Sequence, residues 1–378
     1  MYFRDIVAQE TVIQRLLADA RKGTVPHALL FSGPEGTGKM QTALAFAHYL
    51  LCDNRSQGDD ACGHCPACAK MSKLIHPDLH FAFPVINRSK ATGRKAISDD
   101  EITRWREFLL THDYFGYDEW LDALDAGNQQ AMIYTDESDS ITQKLQLTSS
   151  QGGYKIVIIW LPEKMHITCA NKMLKLLEEP PAQTLFILVS DNPGQIIETI
   201  LSRTQRIEFA PIPSEQIAQR LTGPGYMLEQ AQATEIAHLS EGSWLKAIQA
   251  LRIDAGSAEY LELFMQMMRM AYARRLKELK LLSEDLASRG REWQKDFLTY
   301  CQRMVRENFI NNLRRPELVY MTPPEKAFSS KFSPFVNEKN IEGITFELTE
   351  CQRHIEQNVN AKMVFLDFVL KLILLLKQ

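Results

Sequence analysis

The stretch "LLFSGPEGTGKM", residues 29–40, decides the fold. An apolar run leads into a glycine-rich turn, and an apolar run "MQTALAFAHYLL" (40–51) follows it. The pattern predicts a buried strand, a tight loop and the first turn of a helix. Gly33, four further residues, Gly38 and Lys39 give the spacing of a phosphate-binding loop, with Gly36 inside it. Such a loop works because successive backbone N–H groups and a helix N-terminus surround phosphate oxygens. Lys39 would reach the outer phosphates, and a Ser or Thr hydroxyl at the next position would hold Mg²⁺. That next position is Met40, whose thioether is a poor ligand for a hard cation.

The second magnesium-holding group of such a site is an acid at the end of a later buried strand. The candidate strand is "KIVIIW" (155–160), bounded by Gly152-Gly153 and Pro162. It ends on Trp160 and Leu161, and the nearest acid, Glu163, comes two or three positions late. With two such positions lost, weak phosphate binding stays open and efficient hydrolysis is not expected.

Working outward, "ITCANKMLKLLEE" (167–179) reads as a helix stopped by Pro180-Pro181, and "TLFILVS" (184–190) as a second buried strand. "QIIETILSR" (195–203) is helical and "TQRIEFAPI" (204–212) a strand. Strands alternating with helices predict a parallel sheet covered on both faces. Residues 2–22 form an amphipathic helix after a short extended start. The segment 84–150 is irregular and polar, with one helix at about 99–111 and a strand-to-helix passage in "QAMIYTDESDSITQKLQL". Beyond Pro213 the pattern is helical, and residues 316–345 read as a loop or excursion.

"CDNRSQGDDACGHCPAC" (52–68) gathers Cys52, Cys62, Cys65 and Cys68. Four thiolates at such spacing close a tetrahedral, structural Zn²⁺ site with no open position. His64 lies inside the run, but four thiolates suffice. Seven cysteines, an odd number, suit a reducing compartment better than a disulfide framework. The 378-residue chain carries a formal charge of −4, so no overall basic field draws it to nucleic acid. The basic run "NRSKATGRK" (87–95) lacks interleaved aromatics and reads as a solvated loop. Trp105, Tyr114, Phe115, Tyr117 and Trp120 read as the small core of the 84–150 insert or a subunit contact. The apolar C-terminal run "MVFLDFVLKLILLLK" is too short to cross a bilayer and is interrupted by Asp367 and Lys371. No membrane partner is expected.

Several stretches together resemble the delta-prime subunits of the bacterial DNA polymerase III clamp loader, AAA+ relatives of gamma/tau. They are "FRDIVAQETVIQRL" with Ala8 for the usual glycine, "HALLFSGPEGTGK", the four-cysteine module, "HPDLHFAFP", "ANKMLKLLEEPPAQTLFILVS" and "ILSRTQRIEF", where Thr204 replaces a cysteine. The likeness covers about 1–83 and 150–250. It implies an α/β RecA-like AAA+ parallel-sheet domain over 1–212 with the zinc module (52–68) and the insert (84–150). A helical lid over 213–252 and an all-α collar over 253–378 would follow. It also implies a cytoplasmic heteropentamer with one delta and three gamma/tau subunits that uses ATP to open a sliding clamp and place it on primed DNA.

In that family delta-prime serves as a stator without ATPase activity. Gly33, Gly36, Gly38 and Lys39 would then form a degenerate pocket in which ATP or ADP binding is in doubt. Arg203 of the Ser202-Arg203 motif would be an arginine finger, inserted into a neighbour's ATP site. Ser190 and, in "EGSWLKAIQAL", Lys246 fall at sensor-like positions. The alternatives are an autonomous ATPase of the gamma/tau type, argued by Lys39 and the intact glycines, and a zinc-dependent binding module outside replication.

Overall fold

The computed structural model describes residues 1–55, 58–88, 95–126, 129–146, 153–312, 319, 321–357 and 359–377. It divides into two compact units, Met1–Ile248 and Gln249–Gln378.

The first unit is built on five parallel strands: β1 (Ala28–Ser32), β2 (Leu79–Ala82), β3 (Lys155–Trp160), β4 (Thr184–Ser190) and β5 (Gln205–Glu208). Their spatial order is β2-β3-β4-β1-β5, with Ser32 level with Ser190 and Phe31 level with Ile207. The continuous apolar runs of β1, β3 and β4 are buried throughout, because both faces of the sheet are covered. Alternate residues go to opposite sides. Leu29, Phe31, Ile156, Ile158, Leu185 and Ile187 join one core, which also holds α1 (Glu10–Lys22) and α2 (Lys39–Leu51). Ala28, Leu30, Val157, Ile159, Phe186 and Leu188 join the other. That second core holds α6 (Asp136–Gln146), α7 (Ile167–Glu178) and α8 (Glu198–Leu201). The sheet is the α/β class expected.

The helix read over 2–22 starts only at Glu10. A 3₁₀ turn occupies Phe3–Asp5, and Ala8 and Gln9 both take left-handed backbone, φ +62° and +69°. Ala8 therefore sits in a conformation that favours glycine and costs an L-residue roughly 1–2 kcal/mol. This is the position where the resemblance expects glycine.

The insert is more ordered than its composition suggests. Besides α4 (Ile102–Thr111) it carries α5 (Tyr117–Ala123) and α6, and Met132 and Ile133 make isolated bridges to Val85 and Met165. Trp105 and Trp120 are fully buried. Trp105 stacks on Phe83 at 4.4 Å between ring centroids and lies 5.1 Å from Trp160. Each such pair contributes roughly 0.5–1.5 kcal/mol beyond burial. The aromatics are thus part of the main core and not a base-stacking platform. Trp160, the last residue of β3, also meets Phe115 at 5.4 Å and seats the insert on the sheet. Of the basic run 87–95, residues 89–94 lie outside the described residues.

Helices α9 (Ser214–Thr222), α10 (Gln230–Leu239) and the start of α11 (Trp244–Tyr272) complete the first unit, and the division between units falls inside α11. The second unit is helical: the rest of α11, then α12 (Leu276–Ser288), α13 (Arg291–Asn312), α14 (Pro323–Phe332), α15 (Ile341–Glu356) and α16 (Ala361–Leu375). The stretch read as a loop over 316–345 contains α14. A capping box starts that helix: Glu325 accepts the Thr322 N–H at 2.8 Å, and prolines occupy the first positions. Glu325 also accepts from Tyr300 at 2.8 Å and pairs with Arg303. Burial alone would raise its pKa, but Arg303 and these donors outweigh burial and hold it below the usual carboxylate range. No helix among the described residues is long and apolar enough to cross a membrane.

Candidate functional site

The glycine-rich loop leaves β1 at Ser32 and enters α2 at Lys39. Gly38 caps the helix with φ +92°, and Gly36 turns at φ +77°. A Cβ at Gly36 would collide with the Ser243 hydroxyl. The Trp244 N–H donates to the Gly36 carbonyl at 2.9 Å, so the start of α11 rests on the loop. Gly33 passes against the Phe209 carbonyl just beyond β5. Gln9 ties the N-terminal segment in, donating to the Thr37 carbonyl at 3.2 Å and the Ala210 carbonyl at 2.9 Å.

Lys39 is where the sequence places it, at the first helical position, but its ammonium is engaged. Only 3% of the side chain is exposed, and Nζ lies 2.7 Å from Asp191 Oδ1. It also donates to the Pro34 carbonyl at 2.5 Å. Asp191 follows the last residue of β4, and no motif marked it. Met40 is buried at 4% exposure and offers no oxygen. Glu163, the late acid, accepts the Asp191 and Asn192 N–H groups at 3.0 and 3.1 Å. It therefore fixes the end of β4, and burial raises its pKa. The side chain after Lys39 is thus a buried thioether, and Glu163 is spent on the backbone that follows β4.

The mouth of the loop is acidic. The Glu35 carboxylate turns down against Gly116 of the insert. Burial pushes its pKa up to about 7, helped by Asp191, Glu119 and Asp118.

The four cysteines converge. Cys52 caps the C-terminus of α2, and Cys65 caps α3 (Pro66–Met71), which carries Cys68. All four Sγ atoms lie within 4.8 Å of one another, and Cys62 Sγ is 3.8 Å from Cys68 Sγ. A disulfide would need about 2 Å. Four sulfurs about 2.3 Å from one Zn²⁺ stand roughly 3.8 Å apart at the corners of a tetrahedron. The donor set and spacing fit a four-thiolate metal site. His64 Nδ1 faces the Cys62 carbonyl at 2.9 Å, outside the cluster.

Arg203 lies between α8 and β5, with 34% of its side chain exposed. Nε donates to Glu178 Oε1 at 2.8 Å, and Nη1 donates to the Thr199 carbonyl at 2.9 Å and to Ser202 Oγ at 3.2 Å. Ser202 is the C-cap of α8. The guanidinium is therefore presented at the surface on a short, backbone-anchored arm. Ser190 ends β4 and is fully buried. Lys246 pairs with Glu241 at 2.7 Å on an exposed surface.

The sequence model of the family described as "DNA polymerase III, delta subunit" matches residues 8–213, more than half of the chain. The chain belongs to this family. The match takes in the glycine-rich loop, the cysteine cluster and Arg203. The chain is 29% identical over 232 residues to the delta' subunit of Escherichia coli (strain K12), covering 61% of this chain and 56% of that one. It is 30% identical over 222 residues to the delta' subunit of Pseudomonas aeruginosa, covering 58% and 54%. The tau subunit of Bacillus subtilis (strain 168) is 28% identical over 253 residues, covering 66% of this chain and 37% of that one. The chain thus spans about half or less of the length of these curated relatives. Among solved structures, a gamma subunit-related protein of Thermotoga maritima is 12% identical with a TM-score of 0.42, covering 94% of this chain and 97% of that one.

Proposed function

We propose that this chain is a non-hydrolysing, delta-prime-type subunit of the DNA polymerase III clamp loader. It keeps the nucleotide-binding fold, holds a structural zinc on Cys52, Cys62, Cys65 and Cys68, and offers Arg203 to the ATP site of a neighbouring gamma/tau subunit. The observation that carries this reading is the ion pair between Lys39 and Asp191. The cation that would serve phosphate is engaged internally, and the residue after it is Met40, a thioether where magnesium would need an oxygen ligand. Arg203 is also paired, with Glu178, but at the surface, where its planar fork suits charge developing on another subunit's γ-phosphate.

On this reading the protein acts in the cytoplasm with delta and gamma/tau, and reaches the sliding clamp and primed DNA through that assembly. Residues 1–212 form the AAA+ domain, 213–252 the lid and 253–378 the collar. Exposed apolar side chains of the helical unit, among them Leu281, Phe346, Met363 and Leu374 at 61–68% exposure, are the surface proposed to meet neighbouring subunits.

A second reading, an autonomous gamma/tau-type ATPase, draws on the Bacillus subtilis tau match and the intact glycines. Co-expression with delta and gamma/tau tests the subunit assignment. The chain is expected to co-elute in one stoichiometric complex with both. Elution alone, with the partners folded and associated, would favour a binding module outside replication.

A further inference from the structure

In the function proposed so far the four clustered cysteines only hold a structural metal, yet their sulfurs are not equally sheltered. Cys52, Cys65 and Cys68 are buried, at 4%, 5% and 1% exposure, whereas Cys62 is only partly covered. Cys62 Sγ lies 3.8 Å from the buried Cys68 Sγ. A disulfide bond is about 2 Å long, so a movement of roughly 2 Å joins the pair. A reachable thiolate with a second thiolate directly behind it is the arrangement of a redox-sensing cysteine.

Thiolates that ligate a metal are deprotonated outright, and the thiolate is the nucleophilic form of cysteine. Four of them on one Zn²⁺ leave a net negative charge, and Asp53, exposed directly after Cys52, adds to it. That charge disfavours anionic attackers, so the oxidant admitted is small and neutral, a hydroperoxide. The module also holds the N-terminal segment. Tyr2 packs on the cluster, its hydroxyl 3.0 Å from where a Cβ on Gly63 would stand. The Tyr2 ring lies 5.0 Å from that of His48 in α2, and Asp60 Oδ2 accepts the Arg4 N–H at 3.3 Å.

We propose that Cys62 is a modification site, the point at which a hydroperoxide opens the cysteine module. The inference rests on the four-thiolate zinc assignment. The Cys62 thiolate attacks one peroxide oxygen: an S–O bond forms, the O–O bond breaks and hydroxide leaves, giving a sulfenic acid. The Cys68 thiolate then attacks that sulfur: an S–S bond forms, the S–O bond breaks and a second hydroxide leaves. Two electrons pass from the two sulfurs to the peroxide, and both hydroxides take protons from solvent to become water. Only Cys52 and Cys65 remain as ligands, half of what structural Zn²⁺ takes, and the site gives up the metal. Residues 2–5 lose the surface that holds them against α2.

The test uses the full-length chain, hydrogen peroxide as the oxidant and a colorimetric zinc indicator, with bound zinc measured before the oxidant is added. Wild type is expected to release its zinc, and peptide mapping after alkylation to find Cys62 joined to Cys68. The buried Cys169, Cys301 and Cys351 should stay reduced. Cys62→His offers zinc a nitrogen ligand that forms no sulfenic acid, three cysteines and one histidine being a regular zinc set. It is expected to release zinc at least about tenfold more slowly. Where that variant does not hold zinc, brief labelling of zinc-loaded wild type with limiting N-ethylmaleimide decides. Cys62 should react at least about fivefold faster than Cys52, Cys65 or Cys68. Hydrogen exchange at residues 2–5 should speed up in the oxidised chain, and unchanged exchange there would remove the link to the N-terminal segment. Zinc-loaded wild type that keeps its metal in excess peroxide, a disulfide between any other pair, or equal labelling of the four thiols would overturn the proposal and leave the zinc site standing. Wild type without zinc before the oxidant would overturn both.

Discussion

Replacing Arg203 with alanine is expected to lower the DNA-stimulated ATP turnover of a loader reconstituted with delta and gamma/tau by at least about tenfold. Clamp loading should fall in parallel. Arginine fingers contribute roughly 10³–10⁵ in well-studied GTPases. Only one of several ATP sites would face this subunit, so a tenfold loss of the total means that the sites fire in a coupled sequence; independent sites would lose only that one share. The geometry makes the variant clean. Arg203 is one-third exposed, and its partners are the exposed Glu178, the Thr199 carbonyl and Ser202, so truncation leaves no buried charge unpaired. Arg203→Lys keeps the charge and loses the planar fork, and should recover only part of the rate. Unchanged turnover and loading in the alanine loader, with the pentamer intact, would remove the finger.

The second large effect is expected at the cysteines. Wild type is expected to purify with one equivalent of zinc, and Cys65→Ser without it and with a lower melting temperature. Small zinc modules derive much of their folding free energy from the metal. Here the apolar packing of the cluster takes in Ala61, Ala67 and Tyr2. Loss of about 3 kcal/mol would lower the melting temperature by roughly 6–12 °C in a domain of this size. Cys169→Ser, in the second core and away from the cluster, should keep the metal whatever it does to stability. A wild-type sample purified under reducing conditions, without chelator, that contains no zinc and melts as the Cys65 variant does would contradict the four-thiolate site.

Local signals carried far in this chain, and long-range ones did not. The strand, loop and helix at 28–51 follow from apolar runs around a glycine turn. The cysteine site follows from spacing, because its four thiols fall within one run of 17 residues and Cys65 and Cys68 share one turn of helix. The strand and helix 155–190 are bounded by prolines and glycines that act locally. The insert was harder. Trp105, Trp120 and Phe83 come from separate segments and meet only in the folded chain, so no periodicity announces their shared core. The loop read over 316–345 failed because "TPPEK" looks like a breaker. Prolines in the first turn of a helix cost nothing there, and Glu325 completes the cap. Most consequential, Lys39 and Asp191 lie more than 150 positions apart, as do Gln9 and Ala210. A reading of the loop by itself finds a free lysine, whereas the folded chain has already neutralised it. Trp160 shows the same limit from the other direction. In sequence it is only a missing acid, but in space it is the residue on which Trp105 and Phe115 pack.

What separates a stator from a motor is whether the isolated polypeptide turns over ATP. The measurement is steady-state phosphate release by the purified chain with Mg²⁺-ATP, with and without primed DNA, beside a preparation of gamma/tau. With Met40 and Trp160 at the magnesium-holding positions and Lys39 closed on Asp191, release should be indistinguishable from the no-enzyme control in both conditions. Release by this chain at a rate comparable to gamma/tau, abolished by Lys39→Ala, would contradict it and identify the protein as an ATPase in its own right.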